Sequence, residues 1–183
     1  MWIYGNGGHA KVIRSILKEK ERSMWFLPEC KDDLIVIDDK DHEKRWKTGY
    51  EDMLGLIAIG DNAARQAVAN RINHAKYAVL KASGTTIQDD VFIDLGTVMI
   101  HGAVVNAGSS IGRHVILNTN SSVDHDCEIG AFAHIGPGAT VCGGCKVGEG
   151  ALIGAGAVLC PGVVIPPWAL VKAGTRCANS ERE

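Results

Sequence analysis

The residue best suited to chemistry is His125. It stands in Asn118-Thr119-Asn120-Ser121-Ser122-Val123-Asp124-His125-Asp126-Cys127-Glu128-Ile129-Gly130, with an aspartate on each side. An imidazole gains and loses a proton near neutral pH, and Asp126 beside it can raise its basicity or hold its tautomer. His134 follows nine residues later, directly before Ile135. A second cluster is Gly5-Asn6-Gly7-Gly8-His9-Ala10, whose Gly-x-Gly-x-x-Ala spacing lets main chain approach a phosphate. Asp38-Asp39 and Gly60-Asp61-Asn62 offer hydrogen-bonding groups to a sugar or a base. The six cysteines include one Cys-x-x-Cys pair, Cys142 and Cys145. A structural zinc takes about four ligands, and nothing completes this pair, so no metal site is expected.

The element that must position His125 is a repeat. From Ile87 to Val171 every sixth residue is aliphatic: Ile87, Ile93, Met99, Val105, Ile111, Leu117, Val123, Ile129, Ile135, Val141, Val147, Ile153, Leu159, Ile165, Val171. A small or β-branched residue stands two places before each. An α-helix would scatter these positions around its axis, because six residues make about 1.67 turns. A coil of three flat β faces, one hexad each, keeps every aliphatic side chain inside and puts glycine or asparagine at its corners. Fifteen hexads make about five coils. His125, two residues past the inward Val123, falls near a corner, and His134 falls on a different face and at a different height.

Residues 1–82 read differently. Met1–Tyr4, Leu34–Ile37, Leu56–Ile59 and Tyr77–Leu80 are short apolar runs suited to buried strands. Lys11–Glu21 and Ala63–Asn73 read as helices between them. Alternation of this kind predicts a small parallel sheet, with ligands beyond the carboxyl ends of its strands. Gly5–His9, Asp38-Asp39 and Gly60–Asn62 all fall at those ends, and a helix following Gly7-Gly8 favours an anion.

Lys and Arg number 19 and Asp and Glu 21, for a net charge of −2 with no basic block, which argues against nucleic acid as a partner. No apolar run approaches the roughly 18 residues of a membrane span, and the start Met1-Trp2-Ile3-Tyr4 has no features of a secretion signal. The expected location is the cytoplasm, where a disulfide framework is not expected.

Taken in order, Gly7-Gly8-His9-Ala10-Lys11, Ile37-Asp38-Asp39, Ile57-Ala58-Ile59-Gly60, Asn118 to His134-Ile135, Pro137-Gly138-Ala139 and Ile153-Gly154-Ala155-Gly156-Ala157-Val158 form a set. The set resembles the hexapeptide-repeat sugar O/N-acyltransferases, a bacterial family that includes sialic acid O-acetyltransferases and UDP-4-amino-sugar N-acetyltransferases. The resemblance implies an α/β Rossmann-like nucleotide-sugar-binding unit over residues 1–82. It implies an all-β left-handed parallel β-helix over residues 83–183, and a homotrimer with sites between neighbouring helices. Acetyl-CoA is the implied co-substrate, with no tightly bound cofactor, and a nucleotide-linked 4-amino-4,6-dideoxy sugar is the implied acceptor. Direct attack in a ternary complex is implied, with His125 as general base and Asp126 as its acidic partner. His134, Gly143, Ala155 and Ala173 match the acetyl-CoA groove. Gly8, His9, Ala10, Asp38, Asp39, Gly60 and Asn118 match the nucleotide-sugar pocket and active-site stretch. O-acetylation of a sialic acid is the nearest alternative, and a non-catalytic sugar-binding scaffold a more distant one. A β-helix hydratase of the zinc carbonic anhydrase type would need a His-x4-His pair, which His101, His114, His125 and His134 do not provide. The family's common Val-Pro-Ala-Lys tail after the last coil has no counterpart before Glu183, which is expected to alter the edge of the CoA groove.

Overall fold

A computed structural model describes residues 1–19, 35–37 (backbone path only), 53–73 and 75–178. Asp38 and Asp39 lie outside these residues. The N-terminal unit is a parallel sheet of β1 (Trp2–Tyr4), β2 (Ile35–Ile37), β3 (Leu54–Ile57) and β4 (Lys76–Tyr77), in the order β2-β1-β3-β4. Strand order reverses between β1 and β3, the position at which such sheets open a crevice at their carboxyl ends. The two turns at that point are Gly5–Gly7 and Ala58–Asp61. They touch: Gly5 has a φ of 121°, and a Cβ there would lie 2.8 Å from the Ala58 carbonyl oxygen. Helix α1 (Gly8–Lys18) follows β1 and buries Ala10, Ile13 and Ile16 on one face. Helix α2 (Asn62–Arg71) follows β3, with Asp61 Oδ1 accepting from the Ala64 amide at 2.8 Å as its N-cap. Both helices begin before their expected starts, because Gly7 and Asp61 already supply the capping positions.

The rest of the chain is a left-handed parallel β-helix. Its seventeen two-residue strands form three faces of six, six and five strands. Face 1 runs from Leu80–Lys81 to Leu170–Val171, face 2 from Thr86–Ile87 to Arg176–Cys177, and face 3 from Phe92–Ile93 to Val164–Ile165. Five coils are complete and two further strands begin a sixth, slightly more than the five expected. The expected strand Tyr77–Leu80 is in fact two elements. Tyr77 closes the N-terminal sheet, and Leu80 is already on face 1, hydrogen-bonded to the Thr97 carbonyl at 2.9 Å. The β-helix therefore starts before residue 83.

Neighbouring coils pair in register at eighteen-residue offsets, as in Ser122↔Thr140 and His134↔Leu152. From Ile87 onward the second residue of each strand points inward. From Met99 to Val171 these residues are buried in one continuous core, with Ala103, Val115, Cys127, Ala133, Ala139, Cys145, Ala151 and Ala157 filling the corners. Removing this apolar area from water, at roughly 25 cal/mol per Å2, is what holds so repetitive a backbone together. Cys127 and Cys145 are buried corner-fillers, and Cys142, Cys160 and Cys177 are half-buried free thiols.

The N-terminal unit lies on face 1. Its residues Ile3, Ala10, Ile13 and Leu56 share a core with the outward-facing Val98 and Ile116 of face 1, and Trp2, Tyr4 and Ile57 share another with Phe132. Among the described residues no helix is long and apolar enough to cross a membrane.

Candidate active site

His125 sits on the edge between faces 2 and 3. Asp126 takes the corner with φ 58°, a place filled by glycine one coil below (Gly108) and one above (Gly144). The side chain of His125 is 61% exposed and that of Asp126 72%. His125 Nδ1 donates to Asp126 Oδ2 at 2.8 Å. A carboxylate only accepts, so the Nδ1 position carries the hydrogen and Nε2 is left with a free lone pair. That tautomer is the one a base needs. The hydrogen bond to Asp126, helped by the charge of Asp124, raises the pKa of His125 above its ordinary 6.5.

Gly143, one coil up, lies against the ring: a Cβ there would fall 2.5 Å from His125 Nε2. Any side chain would push the imidazole away. The Gly143 N–H has no acceptor among the described residues, and neither do the N–H groups of Ala155 and Ala173. All three are corner residues that the ladder between coils leaves out. Ala155 and Ala173 lie on the edge between faces 1 and 2, so within one chain they do not share an edge with His125 and Gly143.

The other expected residues gather under the N-terminal unit, on face 1. His134 projects from that face. Its Nε2 accepts from Asn118 Nδ2 at 3.0 Å, and the Gly60 carbonyl accepts from the same ring. Asn118 Oδ1 accepts from the Thr119 amide at 2.8 Å, which fixes the orientation of the side-chain amide. Burial, reinforced by the positive Arg65, lowers the pKa of His134 to about 4. His9, in the first turn of α1, is lowered to about 4 as well, first by burial and then by His134 and Arg65, and its Nε2 is buried without a partner. Gly8 is exposed beside it, and Ala10 is a core residue under α1 that offers only main chain to a ligand. The structure thus brings together Gly8, His9, Gly60, Asn118 and His134. It keeps them apart from the His125 edge, which is the one edge of the three that face 1 does not border.

The sequence reading missed Arg65. This guanidinium is 1% exposed and uses all five of its N–H groups. Nε donates to the His114 carbonyl at 2.9 Å, and Nη1 to the carbonyls of Ile59 and Gly60 at 3.0 and 3.2 Å. Nη2 donates to Asn62 Oδ1 at 2.8 Å and to the Phe132 carbonyl at 2.7 Å. None of these acceptors is charged, and burial lowers the Arg65 pKa to about 10. With Asn62 Nδ2 donating to the Gly150 carbonyl at 3.0 Å, Arg65 ties the Gly60 turn to the β-helix. The only sequence signal was its place on the buried stripe of α2, shared with Asn62, Val68 and Ala69. An open groove of about 420 Å3 on face 3, lined by Glu128, Lys146, Pro166 and Pro167 among others, contains none of the expected site residues. No three His, Cys, Asp or Glu side chains converge as metal ligands among the described residues.

Comparison with known proteins gives the family of both halves of the chain. Residues 1–72 match the PglD N-terminal domain, and residues 108–143 match the bacterial transferase hexapeptide (six repeats). The solved structure of PerB from Caulobacter crescentus, in complex with CoA and GDP-perosamine, is 30% identical. It superposes with a TM-score of 0.84 over 97% of this chain and 87% of PerB. The chain belongs to the hexapeptide-repeat sugar N-acetyltransferases. Curated relatives of this family include the GDP-perosamine N-acetyltransferase of Escherichia coli O157:H7, 26% identical over 75% of this chain. The UDP-N-acetylbacillosamine N-acetyltransferase of Bacillus subtilis (strain 168) is 33% identical over 57% of this chain. The chain spans 67% and 50% of the lengths of these two relatives.

Proposed function

We propose that this sugar N-acetyltransferase moves an acetyl group from acetyl-CoA to the 4-amino group of a nucleotide-linked 4-amino-4,6-dideoxy sugar. The observation that carries the mechanism is the state of His125: an exposed imidazole with its Nδ1 hydrogen given to Asp126 and Nε2 open over a bare Gly143. The acceptor nitrogen uses its lone pair to attack the thioester carbonyl carbon. His125 Nε2 takes a proton from that nitrogen, and the carbonyl π electrons move onto oxygen. The free Gly143 N–H is the donor that stabilises this oxyanion. Collapse re-forms the carbonyl and breaks the C–S bond, and the imidazolium returns the proton to the CoA sulfur. Holding both substrates together supplies much of the acceleration. No enzyme nucleophile is required.

The relatives named for GDP-perosamine and UDP-N-acetylbacillosamine support a nucleotide-linked amino sugar as acceptor. We assign the acceptor pocket to Gly8, His9, Ala10, Asp38, Asp39, Gly60 and Asn118. The free amides of Gly143, Ala155 and Ala173 are assigned to the CoA, with His134 beneath the acetyl end. Within one chain His125 and Gly143 lie on one edge, Ala155 and Ala173 on another, and His9, Asn118 and His134 on face 1, so the complete site requires a second copy, and the assembly is a homotrimer. The exposed apolar side chains Phe92 (63%) and Val164 (64%) on face 3 support such self-association, since burying them removes apolar area from water. The units over 1–82 and 83–183 divide the labour between acceptor and donor, in the cytoplasm.

The test is thiol release from acetyl-CoA with UDP-, dTDP- and GDP-linked 4-amino sugars, set beside hydroxyl acceptors such as sialic acid. Release with one amino sugar and none with the hydroxyl acceptors is expected. Release with sialic acid alone overturns the acceptor, and a monomeric mass by light scattering overturns the shared site.

A further inference from the structure

The His125 corner rests on the coil beneath it. Asp124 Oδ1 accepts from the His125 amide at 2.9 Å and from Asn106 Nδ2 at 3.0 Å. Ser109 Oγ donates to the Asp124 carbonyl at 2.7 Å and accepts from the Cys127 amide at 3.0 Å. Gly108 leaves room for Asp126, since a Cβ there would lie 2.6 Å from Asp126 Oδ1. Some of this is ordinary corner construction. Thr97 bridges Gly112 and Val115 as Ser109 bridges Asp124 and Cys127. Asp94 and Asn118 cap the amides of Leu95 and Thr119 as Asp124 caps that of His125. Only at the His125 corner, among the described residues, does the capping carboxylate also receive a side-chain donor from the coil below.

We propose that Asn106 is a positioning residue for the acetyl transfer: its amide fixes the Asp124 carboxylate, so that His125 works between two aspartates rather than beside one. This rests on His125 being the base. Asp126 takes the Nδ1 hydrogen and sets the tautomer. Asp124 anchors the main chain from which the ring projects and adds a second negative charge. The direction of titration agrees at both ends: the bonds from Asn106 and the His125 amide lower the pKa of Asp124, and Asp126 and Asp124 raise that of His125. Gly143, in the coil above, adjoins the ring. Asp90 is two coils down, with its Oδ2 on the Gly108 amide at 3.1 Å.

Three variants test this: Asn106→Ala, Asp124→Asn and the double variant. Asp124→Asn keeps an acceptor for the His125 amide and removes the charge. Two readings are taken, kcat and KM for both substrates and the NMR titration of the His125 ring in substrate-free enzyme, assigned by its absence in His125→Asn. Each single variant is expected to move the ring titration to lower pH. Each lowers kcat by about five- to tenfold, within the range of a modest loss in acid–base catalysis. KM values should stay within about twofold, because no substrate contact is removed. The double variant should match Asp124→Asn alone, because one residue acts through the other. Asn106→Ser, whose hydroxyl is too short to reach Asp124, replaces the alanine variant if that one folds poorly. An unchanged ring titration in the Asn106 variant, or losses that add in the double variant, overturns the proposal. Normal turnover by His125→Ala would instead overturn the base assignment, and the ring titration would still report on Asn106.

Discussion

His125 and His134 stand nine residues apart, half a coil, and differ in nearly every property that governs proton transfer. His125 projects from an open edge, flanked by two carboxylates, and holds a proton more tightly than a free histidine. His134 lies under the N-terminal unit beside a buried Arg65 and stays neutral down to about pH 4, its ring committed to Asn118 and Gly60. The repeat supplies both positions equally. What separates them is the small α/β unit, which covers face 1 and leaves the opposite edge bare. One unit thus creates two environments: a neutral, hydrogen-bonded floor, and a solvated base beyond its reach.

The contrast can be broken most severely at the open edge. His125→Ala should lower kcat by about 10^3-fold, within the 10^2 to 10^4 range for a general base, with thermal unfolding unchanged because the ring contributes little packing. His134→Ala should instead lose stability, and equal kinetic losses from the two variants would show that the distinction is wrong. At the covered face, Arg65→Met should destabilise by about 3 kcal/mol, because it strands main-chain carbonyls that the guanidinium now satisfies. Denaturant unfolding measures this, and a change near zero would mean that the turn at Gly60 holds without it.

Acidification sharpens the comparison further. His9, His114 and His134 all have pKa values lowered to about 4, each chiefly by burial. Between that value and 6.5 the unfolded chain binds protons that the folded chain refuses. Their contribution is therefore intact above about pH 6.5 and declines as pH falls towards 4, by on the order of 1 kcal/mol per histidine at pH 5. A flat denaturation midpoint between pH 7 and 5 would contradict it. His125, shifted the other way, should place the acid limb of kcat/KM above 6.5. A milder effect at the open edge is expected of Gly143→Ala, about a tenfold loss in kcat from a displaced ring. Its expected match is Gly144→Ala, strained at φ 69° but clear of the imidazole, which should perturb stability more than rate.

Much of this was legible in the sequence because the hexad repeat has no phase slip. Once three hexads make a coil, the register, the interior residues and the corner position of His125 all follow. The βα alternation of the N-terminal unit was legible from its short apolar runs, though the expected strand Leu56–Ile59 lies two residues earlier, at Leu54–Ile57, and Met1–Tyr4 is observed as Trp2–Tyr4. Arg65 was not legible, because four of its five acceptors are main-chain carbonyls and two of those belong to His114 and Phe132, far along the chain. Asn106 was half legible. It stands eighteen residues before Asp124, a relation that has meaning only after the coil length is known. The boundary near Tyr77–Leu80 was misread because both parts are extended and apolar, and composition does not reveal which sheet a strand joins.

In-register pairing at eighteen-residue offsets also limits how such a chain can change in length. Losing one residue from a corner would turn every later interior side chain towards solvent. Gains and losses confined to whole turns keep the interior intact, each altering the height by about 4.8 Å. Duplicating a turn beyond Gly143 would lengthen the edge that carries Ala155 and Ala173 while leaving the imidazole's surroundings untouched. The reach of this scaffold is therefore set in discrete steps, and related chains should differ in it by integers.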